Sequence, residues 1–274
     1  MAIKRVLLPI NDDGSLEPLA SMAFLLGEMF SAQVHRLFVQ SEARLVPRFE
    51  GPTRHEEEFF TVGAVQGKRR VIAVRAHSVF KASAKHFPNV ETKFHSSVGD
   101  LAAVFTRHGR LADIAVICSQ YKFEKAFWTD VQNATLFRSG QPVLIVSSGP
   151  RKSQFNKVVV AWKESPQAAR AIAAARPLLA KAEEVHLVTI DDGGAAVDSL
   201  QEVEEYLLLH SAKVSSAILP AKRFAGLQLL EHAQNLDALL VMGAFSHLRV
   251  KERILGGVTD YVLRESMNPV LMMH

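Results

Sequence analysis

The sequence of 274 residues contains a single cysteine, Cys118, so no internal disulfide can form and a reducing compartment suits the chain. Cys118 ends an apolar run with no cationic cluster beside it, which marks a small buried hydrophobe rather than a redox or catalytic thiol. No apolar stretch reaches the roughly 18 residues of a membrane span. Met1–Arg5 runs straight into the strand-like Val6–Ile10, without the long apolar region and cleavage site of a signal peptide. A cytoplasmic protein with no membrane partner is expected. Charge of one sign is also missing: 32 Lys and Arg oppose 28 Asp and Glu, a net of +4, and the two signs are interspersed. That argues against a nucleic-acid partner. The acidic run Glu56-Glu57-Glu58 and the basic Lys68-Arg69-Arg70 read as solvated helix faces.

Catalytic signatures are scarce as well. No Gly-x-Ser-x-Gly occurs, and the eleven histidines are scattered, with none in a His-x-x-x-His or Cys/His ligand spacing. They read as surface or packing histidines, and no metal site is predicted. Glu204-Glu205 and Asp191-Asp192 are paired acids without a positioned partner, marking a helix surface and a loop.

What is present is a 48% hydrophobic fraction arranged as alternating short strands and helices. Val6–Ile10 is a strand, and the apolar spacing of Leu19, Met22, Ala23, Leu26 and Phe30 predicts a helix over Leu16–Phe30. Strands follow at Gln33–Val39 and Thr92–Val98, with a helix from about Gly63 to His86 between them. A short helix over Leu101–His108, a strand over Asp113–Cys118, a helix over Glu124–Phe137 and a strand over Gln141–Val146 complete the set. The pattern then restarts at Lys157–Trp162. Ser165-Pro166 caps an alanine-rich helix to about Leu179. Further strands are expected at Val185–Ile190 and Lys213–Leu219, with helices at Val197–His210 and Gly226–Gln234. Asp113 to Pro142 spans 142 − 113 = 29 residues and Asp237 to Pro269 spans 269 − 237 = 32, the mark of a duplicated module. The polar, turn-rich Ser147–Asn156 separates domains placed at 1–149 and 154–274. No hairpin signal joins consecutive strands. The expected fold is therefore α/β: two tandem doubly wound domains, each an open five-stranded, mostly parallel sheet with helices on both faces.

Ligands of such sheets bind beyond the C-terminal strand edges, where the strand order reverses. The loops after Ile10, Cys118, Trp162 and Met242 lie there. The last is the richest in site features. Gly243 ends a buried strand, the loop carries Ser246, His247, Arg249 and Lys251, and Gly256-Gly257 open a helix at Val258. Backbone N–H groups and cations are thus offered together to an anion. Trp162 closes the first strand of the second half, where it can stack on a base or serve as a core or inter-domain tryptophan.

On these residues the chain resembles the universal stress protein superfamily, in particular its tandem two-domain members. That family's nucleotide loop has Gly, two residues, Gly, nine residues, then Gly with Ser or Thr. Here Gly243 matches the first glycine, Ser246 stands at the second, Gly256 matches the third and Gly257 takes the Ser/Thr place. Val241-Met242 before the loop and Asn268-Pro269-Val270-Leu271 after the helix also look like the family's. The aspartate expected after the first strand aligns with Lys163, which either reaches a phosphate or faces solvent; in the first half Asn11 or Asp12 takes its place. After Ile117 the first half has Cys118-Ser119-Gln120-Tyr121-Lys122-Phe123 and no glycine pattern.

The resemblance implies at most one adenine-nucleotide site, for ATP or a relative with or without Mg²⁺. It would lie in the second half, with Gly243, Ser246, His247, Arg249, Gly256, Gly257, Val258, Trp162 and Lys163 as contacts and slow hydrolysis at most. Val270–Met273, apolar and last, is expected to pair either the two halves or two chains in a homodimer. Two functions fit: a stress-response regulatory protein switched by the nucleotide, or a scaffold that keeps the fold for domain pairing without a ligand.

Overall fold

The computed structural model describes residues 2–11, 15–40, 80, 82, 85–119, 121–147, 155–191, 195–211, 213–245 and 257–274. The predicted helix from about Gly63 lies outside them except at its end near His86, as do Glu56–Glu58 and Lys68–Arg70. In the first half the elements are β1 (Arg5–Pro9), α1 (Leu16–Phe30), β2 (Gln33–Gln40), β3 (Thr92–Val98), α2 (Leu101–Gly109), β4 (Ile114–Cys118), α3 (Lys125–Arg138) and β5 (Val143–Val146). The second half has β6 (Lys157–Trp162), α4 (Pro166–Leu179), β7 (Glu184–Asp191), α5 (Ala195–Asp198), α6 (Leu200–Leu208), β8 (Val214–Pro220), α7 (Ala225–Asn235), β9 (Leu239–Gly243), α8 (Val258–Glu265) and β10 (Val270–Met273).

The strands form one ten-stranded sheet in the order β3-β2-β1-β4-β5-β10-β9-β6-β7-β8. Each half has the same internal order, and within each half the pairing is parallel. The halves meet through one antiparallel ladder, Val270 opposite Ile145, Leu271 opposite Leu144 and Met272 opposite Val143. The two expected sheets are thus hydrogen-bonded edge to edge into one, and the closing strand β10 is used up inside the chain. The two sheet ends, β3 and β8, show the same alternation of half-buried and exposed positions, as outermost strands with one open edge do.

The buried strands β1, β4, β5 and β9 read as unbroken apolar runs because both their faces are covered. Phe24 of α1, Phe105 of α2 and Trp128 of α3 are fully buried against them. Polar ties fix the strand starts: the Asp113 carboxylate accepts from the Lys4 and Arg5 N–H groups at 2.7 and 2.8 Å. Buried Asn268 donates to the Ala233 and Ala238 carbonyls at 3.2 and 2.8 Å, joining the end of α7 to the start of β9. One expected element differs. The single helix over Val197–His210 is two helices, α5 and α6, broken at Ser199, whose hydroxyl accepts the indole N–H of Trp162 at 2.9 Å.

Candidate functional site

The strand order reverses between β1 and β4 in the first half and between β6 and β9 in the second, so the site is sought at those C-terminal ends. In the second half β6 passes through exposed Lys163 and Glu164 to Ser165. The Ser165 hydroxyl accepts from the Ala168 N–H at 3.2 Å and Pro166 sits in the first turn of α4, the expected cap. Ala161 pairs with Met242, which places Trp162 and Gly243 side by side at the edge.

A Cβ on Gly243 would lie 2.7 Å from both the Gln167 carbonyl carbon and the Ala168 nitrogen. Glycine is needed there because the end of β9 runs against the first turn of α4. Sequence reasoning assigned that glycine to a phosphate; a packing contact accounts for it. Beyond it, the Ala244 N–H donates to the Met273 carbonyl at 2.8 Å. Phe245 is held at φ 50°, a left-handed conformation that costs a bulky residue roughly 1–3 kcal/mol. Its N–H donates to the Thr259 hydroxyl at 3.1 Å, which carries the chain across the N-terminus of α8.

Helix α8 opens at Gly257, which is exposed and makes no side-chain cap bond. Its φ of −70° and ψ of 160° suit any residue, and a Cβ there would meet nothing within 4 Å. The first-turn N–H groups of such a helix have no intrahelical acceptors. Gly243, Phe245, Gly257 and half-buried Val258 therefore converge at one edge. Ser246, His247, Arg249 and Gly256 lie outside the described residues. Trp162 is half-buried, and its indole N–H is engaged by Ser199.

The first half closes its corresponding edge. Asn11, after β1, donates to the Glu124 carboxylate at 2.9 Å, and Glu124 stands at the N-terminus of α3, the place Gly257 takes in α8. After β4, the buried Ser119 hydroxyl donates to the Leu263 carbonyl of α8. Tyr121 donates its phenol proton to Asp260, and the Arg264 guanidinium lies 4.8 Å from the Tyr121 ring centre and 3.1 Å from Asp260. Burial, then the hydrogen bond and charge of Asp260, push the Tyr121 phenol up from its ordinary value, with Arg264 opposing. On the other side of the joint, Phe137 of α3 packs 5.2 Å from Phe245 and 5.0 Å from the His274 ring. His274 Nδ1 lies 2.9 Å from the Ala244 carbonyl oxygen.

Sequence reasoning missed these contacts across the joint. The one local signal was the Asp260–Arg264 spacing of four residues; Tyr121 lies 139 residues from its partner. Among the described residues no group of three or more His, Cys, Asp or Glu is placed to hold a metal, and no helix is long and apolar enough to cross a membrane.

Among solved structures, a universal stress protein from Archaeoglobus fulgidus DSM 4304 matches with a TM-score of 0.70 and 19% identity, over 98% of this chain and 95% of that one. The fold is that of a tandem universal stress protein. A functionally unknown protein from Pseudomonas aeruginosa PAO1 matches with a TM-score of 0.60 and 12% identity, over 99% of this chain and 92% of that one. The cytoplasmic domain of a prokaryotic cation chloride cotransporter also matches, with a TM-score of 0.51 and 10% identity, over 98% of this chain and 95% of that one. No family model and no curated protein matches the sequence.

Proposed function

We propose that this chain is a stress-response regulatory protein that binds an adenine nucleotide, ATP or a relative, in its second half. The observation that carries the reading is the contrast between two equivalent helix starts. At α3 a carboxylate, Glu124, occupies the N-terminus and is bonded to Asn11, so a phosphate would meet a negative charge. At α8 the start is Gly257, with no side-chain cap and open space around its Cα among the described residues, beside the end of β9. Such a start favours phosphate through its free N–H groups and dipole. Asp260 in the same first turn works against an anion, but Tyr121 and Arg264 both bond it.

The residues fit a nucleotide in the second half only. Lys163, exposed at the end of β6, would reach a phosphate rather than hold the base or ribose as an acidic residue there would. Occupancy would act on the Phe245 segment and α8, which carry the contacts between the halves, so the nucleotide would bias how firmly the halves are joined. Hydrolysis is at most slow, and a cytoplasmic location fits this role.

The test is to purify the protein, denature it and identify any nucleotide released, then titrate ATP with and without Mg²⁺. Released adenine nucleotide or saturable ATP binding supports the reading. If the protein carries none and shows no saturable binding at about millimolar ATP, the reading fails in favour of a ligand-free scaffold.

A further inference from the structure

Both halves place a histidine at the third residue of their second strand: His35, buried beside Leu7 in β2, and His186, half-buried beside Val159 in β7. Both also place a histidine at the eighth residue of the helix after the third strand, His108 in α2 and His232 in α7. In the second half these two rings meet directly, with centroids 6.0 Å apart. In the first half His95 of β3 stands between them, 5.1 Å from the His35 ring and 5.5 Å from that of His108. Ala217 occupies the place of His95 in β8, which explains the direct contact there. The glycine pattern has diverged between the halves, whereas these two histidine positions are shared.

The bonding around His35 favours neutral imidazole. His35 Nε2 lies 3.2 Å from the Gln33 carbonyl oxygen and so donates to it, while His35 Nδ1 lies 3.1 Å from His95 Nε2. One proton fits between those two nitrogens; a second would set donor against donor. In the second half His186 Nδ1 is 3.2 Å from the Ser215 hydroxyl and its Nε2 is 3.4 Å from the Glu184 carboxylate, whereas the buried Nε2 of His232 has no hydrogen-bond partner among the described residues.

The charged groups around the first cluster are mostly positive: Arg5 from β1, Lys93 from β3 and Arg107 from α2, with Glu91 opposing. Burial first, and then these charges, hold His35 down at about 4 and lower His108. Around the second cluster stand Glu184, 3.4 Å from His186 Nε2, and the Lys157 and Lys213 ammonium groups that pair with Glu184. His232 is lowered by burial and then by His186.

We propose that these histidines form a duplicated acid-sensitive latch, in which neutral imidazoles hold α2 and α7 against the sheet and protonation below neutral pH releases both helices. The latch does not depend on the nucleotide reading, since none of its residues lies at the C-terminal strand edge.

Amide hydrogen exchange tests it, measured at about pH 7.5 and about pH 5 and corrected for intrinsic rates. With His35 held at about 4 against an ordinary 6.5, amides of α2 are expected to open about tenfold or more further at the lower pH, relative to those of α1 and α4, and those of α7 to shift in the same direction. The double substitution His35→Gln with His232→Gln is expected to remove most of that difference. Equal opening of all four helices in the unsubstituted protein overturns the latch, as does an unchanged response in the double variant. Should the variant not fold, NMR titration of the native imidazoles decides. His35 protonating only below about pH 5 supports the latch, and His35 protonating near the ordinary value overturns it.

Discussion

At the scale of single residues, the two glycines of the site have opposite reasons to be there. Gly243 is squeezed between β9 and the first turn of α4, so Gly243→Val is predicted to destabilise the protein by about 3 kcal/mol or more, whether or not nucleotide is present. Chemical denaturation without ligand reads that loss. Gly257 faces open space in a conformation any residue adopts. Gly257→Ser is therefore expected to be tolerated and to add roughly 0.3 kcal/mol as a helix cap. It also supplies the hydroxyl that universal stress proteins resembling this chain have there, so ATP affinity, read by calorimetry, is predicted to rise. A loss of stability in Gly257→Ser would contradict the assigned geometry.

At the scale of elements, local periodicity carried most of the information and tertiary bonds carried the rest. Helix Leu16–Phe30 and strand Lys157–Trp162 were legible to the residue because their apolar spacing and end signals are local. The Ser165 cap was legible for the same reason. The break at Ser199 was not, since it depends on an indole 37 residues away. Gly243 was seen as special, but the backbone that crowds it belongs to Gln167 and Ala168, and nothing near it in sequence reveals that. Ser119 and Tyr121 stood out in sequence only for lacking the glycine pattern, and Phe137 only as a helix end, whereas they dock one half on the other.

An element-scale prediction follows from Asn268, whose buried side chain bridges the end of α7 and the start of β9. Asn268→Ala leaves the Ala233 and Ala238 carbonyls without that donor and is expected to cost about 2 kcal/mol, read as a lower denaturation midpoint. Ser119→Ala removes the buried bond to Leu263 and is expected to cost about 1 kcal/mol by the same measurement.

For the whole molecule, the continuous sheet makes the halves one folding unit joined by β5 and β10, which predicts a single unfolding transition. Its pH dependence has a definite sign. His35, His108 and His232 bind protons less readily when folded, so the folded state loses stability as pH falls through the ordinary histidine value. The melting temperature is expected to be flat above about pH 7 and to fall toward about pH 4. A melting temperature unchanged across that range would contradict the burial assigned to these rings.

Across the molecule the central claim is an asymmetry: two equivalent edges, one closed by Asn11 and Glu124, the other open at Gly257. An ATP titration followed by backbone amide chemical shifts tests it most directly. The account predicts saturable changes at Gly243, Phe245, Gly257 and Val258, with Asn11 and Glu124 at the first edge left in place. Saturable changes centred on Asn11 and Glu124, or none at either edge, would contradict it.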